Sequence, residues 1–68
     1  METARRIKTL IKNQGKKQKD IYGFFGISER QWRNWMKSPD VYLTLGRLKV
    51  IATLLHTTAA EIIKENGE

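Results

Sequence analysis

The chain has no cysteine, and its 68 residues include a single histidine and a single proline. Without cysteine, neither a disulfide nor a thiolate metal site can hold the fold together. No apolar run approaches the ~20 residues that a helix needs to span a bilayer, and no signal peptide opens the chain. We therefore expect a soluble, cytoplasmic domain with one modest core and no membrane partner.

The usual signs of catalysis are missing as well. His56 stands outside any triad-like setting, and there is neither a glycine-rich phosphate loop after a strand nor a metal-ligand spacing. A chain this short has little room for a substrate-sized pocket. We predict that the protein is not an enzyme and takes no small-molecule substrate, no cofactor and no metal. We expect His56 to cap carbonyl groups at a helix end.

Acidic residues are scarce relative to basic ones. Thirteen Lys and Arg outnumber seven Asp and Glu, which gives a net charge of +6 and a pI near 10. Seven of the cations lie in the first nineteen positions, where Glu2 is the only acidic residue. A generally basic surface would account for the net charge. The clustering of the cations near the start of the chain favours a polyanionic partner instead.

Apolar residues recur at helical spacing along the whole chain and predict an all-α domain. The five expected helices span about residues 3–13, 17–25, 28–37, 45–55 and 58–65. Gly15 and Gly26 are expected to close the first two helices. The chain begins with Met1 and forms one compact set of helices, so we expect a whole protein with a single domain over residues 1–68.

The apolar stripes of the later helices predict much of the core. The residues expected to be buried are Trp32, Trp35 and Met36, then Leu45, Leu48, Ile51, Ala52 and Leu55, and finally Ala59, Ile62 and Ile63. Ser38-Pro39-Asp40 has the composition of a turn. We expect the connection that follows it to lay an aromatic side chain, Tyr42, against the core.

The stretch from Gln18 to Met36 predicts two short helices joined by the turn Gly26-Ile27-Ser28. Ser28 and Gln31 have the spacing of a capping box at the start of the second helix of this pair, and Thr58 and Glu61 repeat it at the last helix. The apolar stripe leaves one outer face, with Arg30, Arg33, Asn34 and Lys37. Two helices, a tight glycine-containing turn and a basic outer face are typical of a helix-turn-helix.

The order and spacing of these residues resemble the DNA-binding domain of the phage repressor and Cro family, the lambda-repressor-like fold. The matching residues are Gln18, Ile21, Phe25, Gly26-Ile27-Ser28, Trp35, Leu43-Thr44-Leu45, Leu48, Ile51-Ala52 and Thr58-Ala59-Ala60-Glu61-Ile62-Ile63. The resemblance runs from about Arg5 to Ile63. It implies a five-helix domain of a phage or bacterial transcriptional regulator, with the third helix in the major groove.

The resemblance also implies which side chains meet the DNA. Those expected to read bases are Glu29, Arg30, Gln31, Arg33 and Asn34, and those expected to bind phosphates are Lys17, Gln18, Lys19, Ser28 and Lys37. Arginine pairs with guanine and an amide with adenine, so the residue types suit the role. For Glu29 we favour a structural alternative, because it gains from the helix dipole and can pair with Arg33 four residues on.

Two departures from the family pattern concern large aromatic residues. Tyr22 stands where a small residue is usual, and it is expected to face Trp32 across the close approach of the two helices. Two such rings would overpack, at a cost of about 1–3 kcal/mol, unless the helices move apart. Phe24 stands where the family tends to be polar, either as a lone apolar residue or as part of a protein-binding patch.

The expected partner is double-stranded DNA, bound by a homodimer on a two-fold related site. The alternative is a protein-interaction module on a helix-turn-helix scaffold, such as an antirepressor or an assembly cofactor. Phe24 or the fifth helix would then carry the protein partner.

Overall fold

The computed structural model describes residues 2–63, and all the regular structure in that range is helical. The helices are α1 (Glu2–Asn13), α2 (Gln18–Phe25), α3 (Glu29–Lys37), α4 (Pro39–Tyr42), α5 (Leu45–Leu54) and α6 (Ala59–Ile63). None of the helices in this range has the length and apolar character required to cross a membrane. The expectation of an all-α chain is confirmed, and the last two residues predicted for the final helix, 64–65, lie outside the described range.

The expected number of helices is wrong by one. The segment that was predicted to be a turn and a connection forms the short helix α4, because Pro39 occupies its first turn, where a fixed φ suits a helix and no backbone donor is needed. The Leu43 N–H donates to the Pro39 carbonyl at 2.8 Å and closes the element. Leu43 enters the core instead of the expected Tyr42, whose side chain is 40% exposed.

Within residues 2–63, three helices end in the same hydrogen-bonded arrangement: a residue of positive φ whose own N–H, and the next N–H, donate back to helix carbonyls. Gly15 (φ 69°) follows α1 and Gly26 (φ 71°) follows α2, as predicted. The third is a histidine: His56 (φ 58°) donates its N–H to the Thr53 carbonyl at 3.2 Å, and the next N–H reaches the Ala52 carbonyl at 2.8 Å. This is a Schellman motif. The carbonyl groups at the end of α5 are therefore bonded by the backbone N–H groups of His56 and Thr57, and not by the His56 ring.

The N-terminal caps of α3 and α6 follow the sequence signals. The Ser28 hydroxyl accepts from the Gln31 N–H at 3.2 Å, and the Gln31 side-chain oxygen accepts from the Ser28 N–H at 3.0 Å, so the predicted capping box is confirmed. The Thr58 hydroxyl likewise accepts from the Glu61 N–H at 3.2 Å. These bonds satisfy backbone donors that a helix leaves open in its first turn.

The core takes its side chains from α1, α2, α3, α5 and α6 and from the residues directly after α4 and α5. Its buried apolar residues are Ala4, Ile7, Ile11, Ile21, Trp32, Trp35, Met36, Leu43, Leu48, Ile51, Ala52, Leu55 and Ile62. Two expected members are wrong: Leu45 is 58% exposed and Ile63 is 43% exposed. Leu45 is the first residue of α5 and lies about one turn before Leu48, where the buried residues of that helix begin. Ile63 lies about 100° around α6 from the buried Ile62 and so faces away from the core.

Side chains also fix how the helices are placed. The Arg47 guanidinium lies 4.4 Å from the centre of the Trp35 ring and donates to the Tyr42 carbonyl at 2.6 Å, which ties α5 to α3 and α4. In a second such contact, Arg6 donates to the Glu61 carbonyl at 3.2 Å and ties α1 to α6. The helices are therefore held by polar contacts as well as by the core.

Candidate nucleic-acid interface

The turn between α2 and α3 is hydrogen-bonded at both ends. The Gly26 N–H donates to the Gly23 carbonyl at 3.1 Å, and the Ile27 N–H donates to the Tyr22 carbonyl at 3.2 Å. Ser28 then caps α3 directly. No free residue therefore separates the last bond of α2 from the first cap of α3, and the connection between the two helices is hydrogen-bonded over its whole length.

The two aromatics at the approach of α2 and α3 are accommodated by tilting. The rings of Tyr22 and Trp32 lie 6.1 Å apart at 40° to each other, a spacing at which aromatic pairs attract. Trp32 is only 1% exposed, whereas Tyr22 stays half-buried at the rim of the core. Tyr22 therefore packs against the edge of the core, and the two rings do not compete for the same space.

α3 has one buried and one exposed side. Trp32, Trp35 and Met36 are buried, as predicted. The exposed side comprises Glu29, Arg30, Arg33, Asn34 and Lys37, and we call it the α3 face. At 100° per residue these five side chains fall within an arc of about 140°. The α3 face is thus a continuous polar surface on a helix anchored by two tryptophans.

Two rows run along the α3 face. Glu29, Arg33 and Lys37 form one row at four-residue spacing, and Arg30 and Asn34 form the other. The Arg33 guanidinium pairs with the Glu29 carboxylate at 3.1 Å, with side chains 74% and 62% exposed. An ion pair so exposed is worth at most about 1 kcal/mol, so a stronger anion can replace the carboxylate.

A shallow groove runs beside the first of these rows, between α3, α1 and the start of α2. Three adjoining depressions form it, and Lys8 lines all of them. Its polar lining, which we call the basic groove, comprises Arg5, Lys8, Thr9, Lys12, Gln18, Lys19, Glu29, Arg33 and Lys37. The buried residues Met36 and Trp32 also line it, so the bottom of the groove is formed by side chains of the core.

The α1 side chains of the basic groove were missed in the sequence. Arg5, Lys8 and Lys12 are spaced at i, i+3 and i+7, which places them in one row on α1. That spacing was the available signal, and it predicts a shared face but not what the face adjoins. In the structure, the row faces the same groove as Arg33 and Lys37.

The predicted site residues divide into three groups. Gln18, Lys19, Glu29, Arg33 and Lys37 line the basic groove. Arg30, Asn34 and Lys17 are exposed outside it, and within residues 2–63 the side chain of Arg30 makes no hydrogen bond. Ser28 and Gln31 are exposed too, but each is engaged in the capping box through its side-chain oxygen. The last pair is therefore partly committed to holding α3 in place.

Gln18 makes a hydrogen bond in the basic groove that the sequence did not predict. The Trp32 indole N–H donates to the side-chain oxygen of Gln18 at 2.7 Å. The contact joins residues fourteen positions apart and lies partly buried. It connects the floor of the basic groove to its polar lining.

The arrangement offers guanidinium, ammonium and amide donors over one surface, next to a rigid helix. Within the described range, no three His, Asp or Glu side chains are grouped so as to hold a metal ion. Comparisons of the chain with protein-family models, with curated proteins and with solved structures give no match.

Proposed function

We propose that the protein is a sequence-specific regulator of transcription that binds double-stranded DNA through α3. In this proposal α2, the turn and α3 form a helix-turn-helix, as in the phage repressor and Cro family that the sequence resembles. The observation that carries it is the continuity of the α3 face with the basic groove, through the shared residues Glu29, Arg33 and Lys37. A reading surface and a phosphate-binding surface then belong to one rigid unit.

The two parts of this surface suit different parts of a duplex. The major groove admits an α-helix, and the α3 face would present Arg30, Arg33 and Asn34 to base edges. Lys8, Lys19 and the other cations of the basic groove would lie along the phosphates, whose contacts fix position and supply salt-dependent affinity.

One such domain offers a single reading helix and few phosphate contacts. We therefore propose that two copies bind a two-fold related site, with half-sites about one helical turn of DNA apart. Two identical α3 helices would then enter successive major grooves on the same side of the duplex.

The test is selection from a pool of randomised DNA duplexes, performed at low and at physiological salt. The proposal predicts enrichment of a short motif, repeated with inverted symmetry at the expected spacing. Binding that enriches no motif and disappears as salt is added would contradict sequence-specific regulation and leave only a general electrostatic attraction.

Variants then separate the proposed roles on the selected duplex. Arg30→Ala is expected to weaken binding by about 1–3 kcal/mol and to relax the preference at one base pair. Lys17→Ala is expected to weaken binding to all sequences alike. Lys49→Ala, which removes one positive charge from α5, is the control and should have the smallest effect. An equal loss on all sequences for Arg30→Ala would argue against base reading by Arg30.

A second candidate function is a protein-interaction module. It is favoured by Phe24, which is 65% exposed on α2, and by Val41 and Leu45 on the surface near α4. NMR titration distinguishes the two candidates. DNA should shift the signals of Gln18 and the α3 face, whereas an antirepressor or assembly partner should shift those of Phe24 or α6.

A further inference from the structure

The hydrogen bond between Trp32 and Gln18 determines which way the Gln18 carboxamide faces. An indole nitrogen is a donor only, so the atom that it meets at 2.7 Å must be the amide oxygen. The amide NH2 is bound to the same carbon and therefore turns away from the indole. The orientation of this amide follows from the chemistry of its partner.

Trp32 is well suited to hold that orientation. Its side chain is 1% exposed, and its ring packs against those of Tyr22 and Trp35 at 6.1 and 6.2 Å. Such burial leaves the indole little freedom to rotate. The oxygen of Gln18 also satisfies the indole N–H, which agrees with the absence of unpartnered buried polar side-chain atoms among residues 2–63.

The NH2 group of Gln18 lies in a mainly cationic setting. Gln18 is exposed and lines the basic groove with Lys8, Lys19, Arg33 and Glu29, so that three cations face one carboxylate. These cations would draw a phosphate to the groove, and the NH2 group offers it two uncharged donors. An amide that was free to flip would present its oxygen to the phosphate part of the time, and that orientation repels.

From this geometry we infer that Trp32 is a positioning residue, which holds the NH2 group of Gln18 toward a phosphate of the DNA backbone. The inference rests on the proposed function, because it assigns a role within the same DNA-binding surface. In this role Trp32 does not touch the DNA. Its effect on phosphate binding passes through Gln18, so the effect can be separated from the packing of the Trp32 ring in the core.

A double-mutant cycle tests the coupling. Affinity for the selected duplex is measured for the wild type, Trp32→Phe, Gln18→Ala and the double variant, at a temperature where circular dichroism shows all four folded. Each single change should lower affinity about 3–10-fold, the worth of one hydrogen bond. Once Gln18 is alanine, Trp32→Phe should cost nothing further.

Trp35→Phe provides the matched control, since it removes the same atoms from the neighbouring buried tryptophan. The fold-losses of affinity caused by Trp35→Phe and by Gln18→Ala should multiply in the double variant, as expected for independent sites. If Trp32→Phe also multiplies with Gln18→Ala, the positioning role is overturned while DNA binding stands. If the wild type binds no duplex, the proposed function fails, and with it the phosphate role of Gln18.

A second measurement needs no DNA and no change in the core. In the free protein, Gln18→Ala should shift the Trp32 indole N–H signal in NMR spectra and speed its hydrogen exchange, and leave the Trp35 indole signal in place. An unchanged Trp32 signal would show that the hydrogen bond is not formed in solution and would overturn the inference.

Discussion

The side-chain amide of Gln14 donates to the main-chain carbonyl of Leu55 at 2.6 Å, across forty-one positions of the sequence. Gln14 directly follows α1, and Leu55 directly follows α5. The bond therefore satisfies a carbonyl at the end of one helix with a side chain from the end of another. It also holds the α1 wall of the basic groove against the rest of the domain.

Removal of this bond should lower stability. We expect Gln14→Ala to reduce the free energy of unfolding by about 1–2 kcal/mol, because the part-buried Leu55 carbonyl loses its donor. Urea unfolding followed by tryptophan fluorescence measures the change. Asn13→Ala, one residue earlier and exposed, is the control and should stay within about 0.5 kcal/mol of the wild type. An equal loss in both variants would place the effect in the helix end itself.

The left-handed residue after α5 offers a way to stabilise the protein. His56 has φ 58°, a conformation that costs a side-chain-bearing residue about 1–2 kcal/mol. His56→Gly should raise the free energy of unfolding by about 0.5–1 kcal/mol, since part of that gain is offset by the entropy of glycine. His56→Ala keeps the strain and should not stabilise. A gain with alanine as large as with glycine would contradict this explanation.

At Ser28, capping and DNA binding can be separated by charge. Ser28→Ala removes the cap of α3 and should cost about 0.5–2 kcal/mol of stability. Ser28→Asp keeps an acceptor at the cap and should remain close to the wild type in stability, but its negative charge should weaken binding to any duplex. Thermal unfolding and fluorescence anisotropy measure the two effects. Unchanged affinity in the aspartate variant would place Ser28 away from phosphates.

Glu29→Gln tests whether Glu29 reads a base or supports Arg33. The pair is exposed, so stability should change by no more than about 0.5 kcal/mol. If the role is structural, loss of the carboxylate frees Arg33 and lowers the repulsion of phosphates, so affinity should rise for all sequences alike. Repeating the selection with this variant checks the outcome. A relaxed preference at one cytosine would instead support base reading by Glu29.

The helices were predictable because their signals are local. Gly15, Gly26 and the Ser28–Gln31 box each act within a few residues, and the structure places each of them as expected. α4 is not predicted because Pro39 was interpreted as part of a turn after α3, whereas it is the first residue of the next helix. Leu45 was placed in the core by periodicity alone, which cannot tell where the covering helices stop.

The candidate site was predictable on one helix only. The α3 face follows from the spacing of Trp32, Trp35 and Met36, which fixes the opposite side. The basic groove depends on how α1 packs beside α3, and no short-range pattern records that packing. The bond between Trp32 and Gln18 is likewise a product of tertiary structure. The residue types of the site were therefore predictable from the sequence, but the way the helices bring them together was not.

The contacts that hold α1 in place have a consequence for sequence drift. Arg6 and Gln14 donate to the main-chain oxygens of Glu61 and Leu55, and every amino acid carries such an oxygen. A substitution at position 55 or 61 therefore leaves the acceptor in place, whereas replacing Arg6 or Gln14 by a residue without a side-chain donor removes the bond. Homologous chains should conserve the donors without correlated changes at the acceptors, and covariation would not reveal these contacts.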